Sequence, residues 1–123
     1  MVQMICEAPA VIDGDSLRCR NLGQVRLLGI DAPDYRRSRP CREGFGDHVC
    51  SDAAAKAAKN SLRRGLKLGP VQLTVVGRDR YRRLLAVAHA GTTNLACWQL
   101  RSGTVRYIAR YDNGRRIARD CHL

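Results

Sequence analysis

A small barrel of β-strands carrying two to three helices, of mixed α+β class, is predicted by three features of this chain. Its 123 residues leave room for one core, so residues 1–123 read as a single domain. Short apolar runs recur along it, each bounded by a turn signal, and one Ala-rich helical run stands between the third and fourth of them.

Residues 3–12 are largely apolar and end in Asp13-Gly14, a hairpin turn signal, after which Leu17 and Cys19 alternate with Ser16, Arg18 and Arg20. Asn21-Leu22-Gly23 turns the chain into a third strand, Val25 to Ile30. That strand closes at Ala32-Pro33, where proline offers no ladder donor. Residues 34–50 read as a polar, Arg-rich loop. Ser51 is a good N-cap with Asp52 in the first turn behind it, and Ala54, Ala58 and Leu62 follow at helical spacing until Gly65 or Gly69 ends the helix. Residues 71–76 and 83–90 make two further strands around a polar segment, 77–82. Asn94 then caps a short helix holding Leu95 and Trp98, which stops at Gly103. The basic tail has room for one more helical turn. Five strands with a helix between the third and fourth match the order of a five-stranded Greek-key barrel, the OB-fold, whose open face commonly holds oligonucleotides.

Lys plus Arg number 22 against 11 Asp plus Glu, for a formal charge of +11, and 19 of the 22 are Arg. A hydrophobic fraction of 45% excludes a disordered chain, and the positive excess points to a polyanionic partner. Six cysteines, at 6, 19, 41, 50, 97 and 121, read as a disulfide framework. Zinc, with His48 and His122 as extra ligands, is the rival, but no two cysteines stand at the close spacing of a structural zinc knuckle. Of the 15 possible pairings, Cys41 with Cys50 spans one polar loop and Cys97 with Cys121 ties the tail to a helix. Cys6 with Cys19 then remains, across the first hairpin. Such bridges persist in an oxidising space, so a secreted or periplasmic protein is expected, with its export signal removed. There is no run of 18 apolar residues, and no membrane partner is expected.

Acidic residues gather where strands end: Asp13 and Asp15 at the first turn, Asp31 and Asp34 after the third strand. If the barrel brings these ends together, Asp15, Asp31 and Asp34 could converge with a backbone carbonyl on a hard cation such as calcium. Alternatively, all four are ordinary turn residues. Arg26 lies inside a strand among Val25, Leu27 and Leu28, and an arginine so placed needs a carboxylate or phosphate for its fork. Carboxylates around a metal with arginines opposite suit phosphoryl transfer.

Three blocks resemble the staphylococcal nuclease family, the thermonucleases. They are Val11-Ile12-Asp13-Gly14-Asp15-Ser16, the run from Val25-Arg26-Leu27-Leu28 through Gly29-Ile30-Asp31-Ala32-Pro33-Asp34, and Asp79-Arg80-Tyr81-Arg82-Arg83-Leu84-Leu85-Ala86. The resemblance spans residues 5 to about 111 in the family's order. It implies calcium held by Asp15, Asp31 and the carbonyl of Ala32, phosphate held by Arg26 and Arg83, and Asp34 as the general base. It further implies a nucleotide pocket lined by Arg80, Tyr81 and Tyr111. The expected activity is that of a monomeric, calcium-dependent nuclease that hydrolyses DNA and RNA and leaves 3′-phosphates. Three positions depart from the pattern: Asp34 stands in place of glutamate, Arg82 in place of glycine, and Ala109 in place of one of two pocket tyrosines. A catalytically weakened nucleic-acid-binding module of the same fold is the alternative reading.

Overall fold

The computed structural model describes residues 2–44, 46 and 48–123. Nine strands and four α-helices occur among them. The expected first strand is two: β1 (Val2–Ile5) and β2 (Ala10–Asp13). The chain bends between them at Ala8, whose φ is +47°, followed by Pro9, which cannot donate to a ladder. β2 turns at Gly14-Asp15 into β3 (Ser16–Cys19), which pairs with β4 (Gly23–Leu27). The expected third strand also breaks, at Gly29 with φ +76°, so that β5 (Ile30–Asp31) leaves the main sheet.

The expected loop over 34–50 contains a short helix, α1 (Arg39–Glu43), started by Pro40 near its first turn and ended by Gly44 in the left-handed region. In α2 (Asp52–Leu66), the Ser51 hydroxyl accepts a hydrogen bond from the Ala54 N–H, Asp52 occupies the first turn, and Arg63 and Arg64 occupy the last. β6 (Val71–Arg78), β7 (Leu84–Ala90) and β8 (Thr93–Asn94) follow. Asn94 caps α3 (Leu95–Ser102) through its side-chain oxygen, and Gly103 ends that helix. The tail holds β9 (Arg106–Tyr107), a 3₁₀ turn over Ala109–Tyr111, and α4 (Arg116–Asp120).

The main sheet runs β1-β6-β7-β4-β3-β2, with β8 added to β7, while β5 and β9 form a separate two-stranded ladder. β4 and β7 are parallel and the remaining pairs antiparallel. This is a mixed sheet whose hydrogen bonds among the described residues draw an open path, so the five-stranded Greek-key barrel is not reproduced as such. Its two edges, β1 and β2, are successive pieces of chain joined through residues 6–9.

Leu17, Val25, Leu27, Leu73, Ala86 and Val87 are buried on the sheet and pack with Leu62 of α2, Leu95 of α3 and Ile117 of α4. Burial of such side chains at roughly 25 cal/mol per Å² of apolar surface is the main favourable term in the fold. α2 lies against β2 and α3. Gly65 makes the helix contact close, because a Cβ there would fall 2.9 Å from the Trp98 ring. The indole N–H of Trp98 donates to the Ser61 carbonyl at 2.9 Å.

All six cysteines are paired, as Cys6–Cys19, Cys41–Cys50 and Cys97–Cys121. Three disulfides in a chain of this size belong to a non-cytoplasmic, oxidising compartment. No helix among the described residues is long and apolar enough to cross a membrane.

Candidate functional site

The turn between β2 and β3 is pressed onto the molecule at Gly14, where a Cβ would lie 2.5 Å from that of Ala58 and 2.8 Å from that of Ala32. From the other side Gln99 of α3, fully buried, donates its amide N–H groups to the carbonyls of Gly14 at 2.8 Å and Ala58 at 2.9 Å. The turn carrying Asp13 and Asp15 is thereby held against α2 and α3. The Leu27 N–H also donates to the Asp15 carbonyl at 2.9 Å, which ties the turn to β4.

Within this frame Asp15, Arg26 and Asp31 meet. One terminal nitrogen of Arg26 lies 3.3 Å from Asp15 Oδ2 and the other 3.6 Å from Asp31 Oδ1. Arg26 also donates to the carbonyls of Leu27 and Ile30, at 3.2 and 2.8 Å, so the in-strand arginine finds partners both in the Asp15 turn and at the end of its own strand. The Ala32 N–H donates to Asp15 Oδ2 at 2.9 Å. Ala32 itself is buried and does not line the cleft.

Burial pushes the Asp15 carboxyl up to about 8; Arg26 pulls against this, while Asp13 adds to it. Asp13 moves the other way, because hydrogen bonds from Asp15 and Ser16 outweigh its own burial. Two carboxylates and a main-chain carbonyl are hard oxygen donors of the kind calcium prefers. Among the described residues no three His, Cys, Asp or Glu side chains cluster to hold a metal, and of the three expected calcium ligands Asp15 and Asp31 line the cleft while Ala32 does not.

Arg83 precedes β7, the strand that runs parallel to β4 with Arg26 beside Leu85, and this pairing brings the two arginines to one cleft. Arg83 Nε donates to Asp79 Oδ2 at 2.7 Å, and Asp79 Oδ1 accepts from the N–H groups of Tyr81 and Arg83. Burial of Asp79 is outweighed by these bonds, which hold its carboxyl below the usual range. The terminal nitrogens of Arg83 make no hydrogen bond among the described residues. Arg80 and Arg83 lie 5.1 and 5.7 Å from the Tyr81 ring centre, and Arg26 and Arg110 lie 5.4 and 4.9 Å from that of Tyr111.

Asp34 lines the same cleft, which encloses about 1150 Å³. Its backbone is fixed by hydrogen bonds to Val49 and Ser51. Burial raises its carboxyl pKa, opposed by His48 and assisted by Asp31 and Asp13.

Asp15, Arg26, Asp31, Asp34, Arg80, Tyr81, Arg83 and Tyr111 are therefore brought to one cleft. Four further residues take part here in roles that the sequence reading did not assign. Arg106 donates to Asp31 Oδ2 at 3.0 Å across the β5–β9 ladder, His48 faces Asp34, Arg110 covers Tyr111, and Asp79 aims Arg83. Only Asp79 carries a local signal, an Asp opening a turn four residues before an Arg.

Residues 24–121 match the model of the Staphylococcal nuclease homologue family. A protein of Haemophilus influenzae described as an uncharacterized endonuclease is 28% identical over 112 residues, covering 88% of this chain and 54% of that protein. The chain thus spans about half the length of this curated relative. The family match begins after Asp15, so the place of that carboxylate rests on the packing of its turn.

Proposed function

We propose that this chain, which belongs to the Staphylococcal nuclease homologue family, is a nuclease that hydrolyses phosphodiester bonds of DNA and RNA, depends on calcium and leaves 3′-phosphates. The observation that supports this best is the convergence of Arg26, Arg83, Asp15, Asp31 and Asp34 on one cleft. An anion entering it meets two guanidinium groups, which would donate to the phosphoryl oxygens as their charge grows in the transition state. Arg26 is rigid because its strand-end partners hold it. Arg83 is aimed by Asp79 and keeps its terminal nitrogens for the anion. Asp34 would take the proton of the water whose oxygen bonds to phosphorus while the bond to the 5′ oxygen breaks.

Asp15, Asp31 and the carbonyl of Ala32 would hold calcium, which when bound neutralises phosphate charge and acidifies water. Tyr81 and Tyr111, each backed by arginine, present ring faces on which a base can stack. The disulfides support release of the protein to the periplasm or the cell exterior, and it is read as acting as a monomer.

The test is incubation of the disulfide-bonded protein with single-stranded DNA, duplex DNA and RNA, with calcium and with excess chelator. Cleavage that needs calcium and yields 3′-phosphate ends supports the proposal, and cleavage undiminished in chelator overturns the metal dependence. Salt-sensitive binding with no cleavage in calcium selects the nucleic-acid-binding module instead.

A further inference from the structure

The loop between the Asp34 segment and α2 is closed by Cys41–Cys50, and its return limb runs beside Asp34. The Asp34 N–H donates to the Val49 carbonyl at 2.8 Å and the Ser51 N–H donates to the Asp34 carbonyl at 3.0 Å. This limb carries His48, whose Nδ1 is shut off from solvent and lies 3.1 Å from Asp34 Oδ2. The pair is within hydrogen-bond distance but not aligned, so Nδ1 has no hydrogen-bond partner in this geometry. A small rotation of the ring would give a buried nitrogen its acceptor, and a buried polar atom left unpaired is costly. Gly46 makes room for the ring: its φ is +77°, and a Cβ there would fall 2.8 Å from Nε2 of His48.

We propose that His48 is a positioning residue for Asp34: its Nδ1–H donates to Oδ2 and turns Oδ1 toward the attacking water, with the Cys41–Cys50 loop holding the imidazole in place. This rests on Asp34 being the general base. A carboxylate free to rotate about its last bond spends much of its time aimed elsewhere, and a base loses efficiency steeply when it leaves hydrogen-bond reach of its proton. A base oriented by a third group is a recurrent arrangement. The anchoring suits this chain, where the short side chain of Asp34 has little reach of its own with which to correct a poor angle.

The experiment compares His48→Ala, His48→Asn and Asp34→Asn in the oxidised full chain, measuring kcat and KM on single-stranded DNA in saturating calcium. It also measures the imidazole ¹⁵N shifts of His48 in metal-free protein with and without Asp34→Asn. His48→Ala is expected to lower kcat by about tenfold to 100-fold with KM nearly unchanged. His48→Asn, whose amide nitrogen falls near the place of Nδ1, should recover most of that loss. The ¹⁵N shifts should show the proton on Nδ1 and should move in Asp34→Asn. Wild-type kcat in His48→Ala, no recovery in His48→Asn, or an Nδ1 that carries no proton overturns the positioning role. If Asp34→Asn still loses its activity in that case, the assignment of the base survives; unchanged turnover in Asp34→Asn overturns both.

Discussion

At Asp34 the resemblance expects a glutamate, one methylene longer, and the surroundings make that difference testable. Asp34→Asn keeps size and polarity without basicity, so kcat on DNA should fall by about 100-fold or more while salt-sensitive nucleotide binding persists. Asp34→Glu lengthens the arm into a space bounded by His48, and steady-state rates will tell whether this site has repacked around the shorter acid: no gain means that it has. Arg82 is the other departure with a visible cost. Its φ of +67° lies where glycine is at ease and an L side chain costs about 1–2 kcal/mol. Arg82→Gly should therefore raise unfolding stability by up to about 1 kcal/mol, after the extra freedom of glycine in the unfolded chain is deducted, as read from denaturant melts. Arg26 could be singled out from sequence because an arginine among Val25, Leu27 and Leu28 contradicts its strand. His48, Arg106 and Arg110 could not, because each meets its partner only after distant segments pack.

The elements were legible wherever a local rule governs them. Ser51 and Asn94 announce α2 and α3 through their caps, and Gly103 announces an end. The expected strands over 3–12 and 25–30 each proved to be two, since periodicity continues across Ala8 and Gly29 while the backbone does not. α1 was hidden in a loop reading because five residues carry too little pattern to detect. Packing between elements yields its own test at Gly14, where the turn touches α2. Gly14→Ala should destabilise the fold by about 1–3 kcal/mol in a denaturant melt, because Ala58 and Ala32 flank the added methyl and neither is a flexible side chain. The acid limit of stability is set at element ends too. Asp112 accepts from the N–H groups of Ile117 and Ala118 at the start of α4 and from the Tyr107 hydroxyl, and these bonds outweigh its burial to lower its pKa. Asp79 is lowered likewise. A carboxyl with a lower pKa in the folded state than its unfolded value of about 3.9 contributes stability above that value and loses it as pH falls through the folded one. The denaturant midpoint of the wild-type chain should therefore fall relative to that of the Asp79→Asn, Asp112→Asn double variant between pH 5 and pH 2, while the raised carboxyls of Asp15 and Asp34 act with the opposite sign in both proteins.

For the molecule as a whole, a charge of +11 and a cleft lined by Arg26, Arg39, Arg78, Arg80, Arg83 and Arg110 would make phosphate contacts the main source of affinity for the proposed nucleic-acid substrate. Single-stranded DNA binding should weaken on the order of 10²–10³-fold between 50 and 200 mM salt, measured by fluorescence anisotropy; a flat dependence contradicts a nucleic-acid substrate. Calcium should raise the thermal midpoint of the metal-free protein, since a ligand that binds only the folded state stabilises it. Thiol titration of the denatured, unreduced chain should find no free cysteine. The three bridges also join each cysteine to the next one along the chain, Cys6 to Cys19, Cys41 to Cys50 and Cys97 to Cys121, with no bridge enclosing another. For a chain threaded amino end first into an oxidising space, order of arrival is then the whole pairing code. An oxidase that links each newcomer to the cysteine still waiting makes the native set on the first pass and leaves a disulfide isomerase nothing to edit.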